Sequence, residues 1–321
     1  MIDIVDLPTP APEVPRDGHG RPLVIPLTGG RPVALTRTTT FIDCIEDKST
    51  LADWGKRMVL YGLAKEPSLL NGIADLDPAD KEDRKVLIVI VEKALQAAGA
   101  HDKRDKGTHL HGLSELADRG LALPPGLPEA DLMDIAAYIL ATASMRFVHI
   151  EEFVVIPELG VGGTPDRICY YSGPGPDGEH IEGWFIFDLK TGSVEYGGLK
   201  MASQLAVYSR AWFYDFMLFP APCRWADPGD PENKRETKEW KTWKATEVSM
   251  YDIAPAYTPI PQVNQDLGII LHLPSGSSTP EFYWADLRIG WRAAELAPVI
   301  REMRSLKGKA LVPFRSAPTF S

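Results

Sequence analysis

Apolar positions along this chain change their period twice. From Thr38 to about position 145 they recur at three- and four-residue spacings, as helices require. Phe41, Ile42, Ile45, Leu51, Trp54, Met58, Val59 and Tyr61 open that pattern. A second helix is predicted over 80–98. Its β-branched run Val86-Leu87-Ile88-Val89-Ile90-Val91 argues for a strand, but its length and Ala-rich end favour a helix. A third starts near Gly107-Thr108 and carries His109, His111, Leu113, Glu115 and Leu116. A fourth spans 128–145, with Glu129 and Asp131 in its first turn. From Phe147 the pattern turns to β: a strand at 153–157, then the runs Ile168-Cys169-Tyr170-Tyr171 and Trp184-Phe185-Ile186-Phe187. Helical spacing returns over 199–217, with Met201, Leu205, Tyr208 and Trp212 on one face. A polar excursion (220–246) leads to a strand at 268–273, a partner strand near 282–284 and a basic helix over 287–306.

This order implies an α/β fold, with a mixed central β-sheet flanked by helices on both faces. Residues 1–36, rich in Pro and Gly, read as an extended, weakly structured arm. Residues 37–321 read as one domain: a helical N-terminal region (37–105), a central segment (106–217), and then the excursion, late strands and basic helix (218–321).

The stretch between the two β-prone runs, Ser172-Gly173-Pro174-Gly175-Pro176-Asp177-Gly178, is a turn. A symmetric hairpin centred on Asp177 sets Asp166 and Asp188 opposite each other, with Cβ atoms about 4.5–5.5 Å apart. Lys190 projects from the same face as Asp188. Like charges set opposite one another are destabilising unless a cation lies between them. Two hard oxygen ligands suit Mg²⁺ or Mn²⁺. A lysine beside them can orient or help deprotonate a metal-bound water, or stabilise charge on a phosphoryl oxygen. The competing reading is a hairpin end with two solvated aspartates and a lysine paired to them.

Composition narrows the classes. A chain of 321 residues, 44% hydrophobic, can bury a substantial core. No apolar run approaches a membrane span, and the acidic, Pro-rich start lacks the pattern of a secretory signal, so a cytoplasmic location is expected. Three scattered cysteines, Cys44, Cys169 and Cys223, cannot build a four-thiolate zinc or iron–sulfur site. The net charge of −10 makes local basic patches, rather than the total, the test of nucleic-acid binding.

The neighbouring motifs give the hairpin a context. Gly107-Thr108-His109-Leu110-His111, Gly163-Thr164-Pro165-Asp166, Asp188-Leu189-Lys190-Thr191-Gly192 and Gln204-Leu205-Ala206-Val207-Tyr208 occur in this order. The set resembles the PD-(D/E)XK nuclease superfamily, and within it the RecB-like exonuclease branch, over roughly 105–210. The resemblance implies a restriction-endonuclease-like core and a Mg²⁺- or Mn²⁺-dependent deoxyribonuclease. It implies His111, Asp166 and Asp188 as metal ligands, Lys190 beside the attacking water, and Gln204 and Tyr208 positioning DNA or ligands. His109 is the competitor to His111. Glu115 has a supporting or surface role, and Glu152 is a further candidate carboxylate. No iron–sulfur cluster is expected, and without a GxxxxGK[ST] motif no nucleotide cofactor is expected either.

For DNA, the stretch with Lys234, Arg235, Lys238, Trp240, Lys241, Trp243 and Lys244 interleaves cations and indoles as a strand groove does. The basic helix adds Arg301 and Arg304. The expected activity is exonucleolytic hydrolysis of linear single- or double-stranded DNA, in the phage-type recombination, replication or repair setting where such free-standing nucleases occur. That setting implies the host cytoplasm, with a recombination or single-strand-binding protein as candidate partner. A structure-specific or restriction-like endonuclease, and a non-catalytic nucleic-acid-binding protein on a nuclease fold, are the alternatives.

Overall fold

A computed structural model describes residues 14–28, 32–100, 102–215 and 257–311, the side chains of 102–104 excepted. Within them the chain is mixed α/β, with two five-stranded sheets flanked by helices and one two-stranded ribbon. The ribbon joins β1 (Leu23–Val24) to β2 (Val33–Ala34), and β3 (Thr36–Arg37) follows. The helical region holds α1 (Thr38–Ile42), α2 (Ser49–Lys65), α3 (Lys81–Ala97), α4 (Asp102–Asp118) and α5 (Glu129–Thr142). Asp80 caps α3 through its carboxylate, which accepts from the backbone N–H groups of Glu82 and Asp83. Helix α4 begins five residues before the expected Gly107.

Next come β4 (Arg146–Ile150), β5 (Val154–Ile156), β6 (Val161–Gly163), β7 (Arg167–Pro174), β8 (His180–Lys190) and α6 (Gly198–Tyr208). The last elements are β9 (Trp212–Tyr214), β10 (Tyr257–Pro259), β11 (Leu267–His272), β12 (Glu281–Asp286) and α7 (Leu287–Ser305).

The sheet that carries the hairpin has the order β12-β11-β8-β7-β4. Its pairs are antiparallel except β8 and β11, which run parallel. Alternation along β8 sorts its two faces. Phe185, Phe187 and Leu189 pack with Leu110 and Leu113 of α4 and with Ile135 and Tyr138 of α5. Ile186 joins Ile270, Leu205 of α6, and Ala294 and Ala297 of α7 on the other face.

Three expectations change. The strands do not form one central sheet: β5 leaves the first sheet and pairs with β6 and β9 in a second, ordered β10-β9-β5-β6-β3. The chain turns out of the first sheet at Glu151, whose φ of +53° breaks the extended run. The helix expected over 199–217 ends at Tyr208, and Trp212 lies in β9. There the β-prone aromatic triplet pairs with β5 and β10, and Tyr214 becomes buried, so tertiary pairing overrides the helical spacing. The described residues of the arm, from Val14 on, are packed rather than loose. Val14, Leu23, Val24 and Ile25 are buried against Phe153, Val155 and Tyr214. The Ile25 N–H donates to the Tyr214 hydroxyl at 2.9 Å, and the Tyr257 hydroxyl donates to the Ile25 carbonyl at 2.7 Å. Among the described residues no helix is long and apolar enough to cross a membrane.

Candidate active site

Strands β7 and β8 pair from Arg167–Phe187 to Pro174–His180, the register of a hairpin centred on Asp177. The turn is closed by the Gly175 N–H donating to the Glu179 carbonyl at 2.7 Å, and by the Glu179 N–H donating to Asp177 Oδ1 at 3.1 Å. One step beyond the Arg167–Phe187 pair, Asp166 stands across from Asp188. Its Oδ2 accepts from the Leu189 N–H at 2.9 Å, which ties the two motifs together through the backbone.

A bulge brings in a carboxylate that the sequence reading missed. Arg146 opposes Tyr170 and Phe147 opposes Cys169, but after Val148 the register slips, so that His149 opposes Ile168 and Ile150 opposes Arg167. The next residue, Glu151, therefore meets Asp166, and its N–H donates to the Asp166 carbonyl at 3.0 Å. Without the bulge, Ile150 would stand there. Bulges re-aim side chains in this way beside functional sites. Glu152, the residue named from sequence, instead places Oε1 3.0 Å from Nδ1 of His149.

Glu151, Asp166 and Asp188 thus form one row across the ends of three strands. The row continues through Ile270, paired with Asp188, to Tyr283, paired with Ile270. A second row, one side-chain repeat along, runs from Lys190 to His272 to Glu281.

Helix α4 delivers the histidine. His111 Nδ1 lies 3.4 Å from Asp166 Oδ2, whereas His109 turns to α5, its Nε2 3.0 Å from Asp131 Oδ2. The helix can approach because Gly107 has no side chain: a Cβ there would lie 2.4 Å from Thr191 Oγ1. Gly163 serves Tyr208 similarly, since a Cβ there would lie 2.6 Å from the Tyr208 hydroxyl oxygen. Tyr208 is buried, hydrogen-bonded to the Gln204 side chain, and set against Thr38. Burial, and then the charges of Asp166 and Asp188, push its phenol well above the usual range.

The electrostatics follow from crowding. Asp188 is buried, and its Oδ2 lies 2.5 Å from Lys190 Nζ without a well-directed hydrogen bond. Burial and the Asp166 charge raise the Asp188 carboxyl, with Lys190 opposing them. Burial works against the Lys190 charge, but Asp188 and Asp166 outweigh it and hold the ammonium protonated more firmly than usual. Burial lowers His111 to about 4 against the pull of Asp188, so its imidazole is neutral at pH 7. Glu151 is exposed as a residue, yet desolvation of its carboxyl and the nearby Asp166 push it up to about 8.

Behind this row lies a buried ion network. Arg167 is fully buried; its Nε donates to Asp118 Oδ2 at 2.6 Å and its Nη2 to Ser114 Oγ at 2.7 Å. The Tyr138 hydroxyl donates to the same Asp118 oxygen at 2.7 Å. Arg167 Nη1 makes no hydrogen bond and faces Asp166 Oδ2 at 3.9 Å. The network fixes α4, which carries His111, to the strand that follows Asp166. Sequence gave no signal for it, because its members are scattered.

The donor set suits a hard divalent cation: carboxylates, a neutral imidazole, and a buried oxygen lacking a directed donor. Among the described residues, however, no three His, Cys, Asp or Glu side chains are gathered at ligand spacing. A cation at Asp188 Oδ2 would take the place now held by the Lys190 ammonium.

The other named residues lie elsewhere. Glu115 Oε1 accepts from Arg119 Nε at 2.9 Å. Arg301 Nη1 donates to the Thr40 carbonyl at 3.2 Å and Arg304 Nη2 to the Cys44 carbonyl at 3.2 Å. These bonds tie α7 to α1 and the turn after it. Lys234, Arg235, Lys238, Trp240, Lys241, Trp243 and Lys244 lie outside the described residues. No protein-family model matches the chain, and no curated protein matches it.

Proposed function

We propose that this protein is a Mg²⁺- or Mn²⁺-dependent deoxyribonuclease of the PD-(D/E)XK type, with a restriction-endonuclease-like core and exonucleolytic action. The observation that carries the reading is the convergence of four dispersed sequence motifs on one end of a sheet. Asp166 and Asp188 stand opposed, Lys190 contacts Asp188, His111 reaches Asp166, and Tyr208 packs against Gly163.

In this reading Asp188, Asp166 and His111 hold the cation, and Glu151 extends the carboxylate row. The bound ion supplies a lowered water pKa and neutralises charge developing on the phosphate. Lys190, kept charged by its two aspartates, orients the attacking water and stabilises the phosphoryl oxygens as negative charge grows. His111, neutral at pH 7, offers a lone pair without first losing a proton. Tyr208 and Gln204 hold the base of the site between α6 and Gly163, which preserves the spacing that in-line attack needs. The parallel neighbours β8 and β11 between two helical layers support the restriction-endonuclease-like description.

The test compares end-labelled linear DNA with covalently closed circular DNA, in Mg²⁺ or Mn²⁺. Progressive loss of linear DNA alone is the expected result. Cutting of closed circles would move the reading to an endonuclease. Absence of metal-dependent cleavage of any DNA by the folded protein would leave a non-catalytic binding protein.

A further inference from the structure

Beside the catalytic rows the sheet carries a cleft of about 730 Å³, within the range of small-molecule sites, about 300–1,000 Å³. Its floor is the continuation of those rows: Ile270 is the register partner of Asp188, and His272 that of Lys190. Neighbouring strands lie about 4.8 Å apart, so the cleft begins one strand spacing from the two residues. Leu199 and Met201 of α6 wall it on one side, and β12 on the other.

Its chemistry differs from that of the rows it adjoins. Three rings line it, His272, Tyr283 and Trp284; the first two have centroids 6.3 Å apart, and Tyr283 is 42% exposed. Three carboxylates also line it, Glu195, Glu281 and Asp286, and among the described residues no lysine or arginine does. Such a lining repels phosphate. It suits an uncharged planar group that stacks on an aromatic face and donates hydrogen bonds from exocyclic amines. Glu281 already accepts one such bond, from the Tyr283 hydroxyl at 2.7 Å.

Resting on the nuclease reading above, we infer that the cleft takes one unpaired nucleobase adjoining the scissile phosphate, while the phosphate itself goes to the Lys190 side. A base inside a duplex cannot enter such a cleft without leaving its stack and its partner. The substrate is therefore a single strand or a frayed end, rather than intact duplex.

The test uses full-length protein carrying Asp188→Asn and a single strand of about eight nucleotides, with 2-aminopurine placed at each position in turn. One position is expected to lose fluorescence on binding, and free 2-aminopurine deoxyribonucleoside is expected to lose none. On the otherwise wild-type enzyme, Tyr283→Ala, Leu199→Trp and an abasic site at that position should each raise KM by about ten-fold, with kcat less affected. In the Asp188→Asn background the same two side-chain changes should abolish the quenching, and Tyr283→Phe should keep it.

Fluorescence unchanged at every position would overturn the inference, as would pocket variants whose KM matches wild type. Equal quenching of the free nucleoside would also overturn it, by removing the strand from recognition. The two readings separate cleanly. Metal-dependent cleavage without any pocket effect would remove the cleft and keep the nuclease. Quenching without cleavage by wild type would keep the cleft and remove the nuclease.

Discussion

Glu151 and Asp166 meet across the ends of β4 and β7, the Glu151 N–H donating to the Asp166 carbonyl at 3.0 Å, because one bulged residue shifts the register before them. The pairing sets a third carboxylate beside the two aspartates; desolvation, and then the Asp166 charge, raise Glu151 to about 8 from its ordinary value of 4.5.

That shift has a defined sign. Between about pH 4.5 and 8 the folded state holds a proton on Glu151 that the unfolded state has released, so this group's contribution to stability falls as pH rises. His111, lowered to about 4 from 6.5, acts oppositely, but only below pH 6.5. Urea unfolding of wild type and Glu151→Gln, compared between pH 6.5 and 8, should therefore show wild type losing stability relative to the variant. Parallel profiles would place the Glu151 carboxyl in an ordinary solvent environment.

The two histidines of α4 separate sharply. His111 is 3.4 Å from Asp166, whereas His109 is paired with Asp131. His111→Ala should weaken Mn²⁺ binding at least about ten-fold, and His109→Ala should leave it unchanged. Calorimetric titration of the two variants measures both.

Arg167 and Asp118 form the buried pair behind the site, at 2.6 Å. Removing one partner leaves an uncompensated charge, so Asp118→Ala should cost about 3–5 kcal/mol in urea unfolding. Replacing both residues with apolar ones of similar volume should recover much of the loss. A single-variant cost below about 1 kcal/mol would mean that water reaches the guanidinium.

How much of this was legible in the sequence follows from the physics of each part. The β7–β8 register could be read because the Gly- and Pro-rich turn centres on Asp177 and the flanking runs are long and β-prone. The helices α3, α5 and α7 were legible from sustained spacing. Strands of three residues, such as β5, β6 and β9, carry too few positions to establish a period. The bulge near Val148 leaves no mark in composition, so sequence named Glu152 where the fold sets Glu151 beside Asp166. His111 and Tyr208 were reachable only through their motifs. Gly107 and Gly163 show why those motifs hold glycine: Thr191 and the Tyr208 hydroxyl occupy the space a Cβ would need.

Asp134 illustrates a buried polar residue that periodicity hides. It accepts from the N–H groups of Gly276 and Ser278, the latter at 2.8 Å, and from the Ser278 hydroxyl at 3.1 Å. It thereby anchors the β11–β12 connection to α5. Asp134→Ala should cost about 1–3 kcal/mol, and faster amide exchange at Gly276 and Ser278 would locate the loss.

In the proposed nuclease, Asp188 and Lys190 would cut phosphodiester bonds with a divalent cation. Its most direct measurement is the single-turnover cleavage rate of linear DNA as a function of Mn²⁺, for wild type, Asp188→Asn and Lys190→Ala. The expected rate rises to saturation with Mn²⁺ in wild type and falls at least about a hundred-fold in each variant. A wild-type rate that persists in chelator, or variants that cut as fast as wild type, would contradict it.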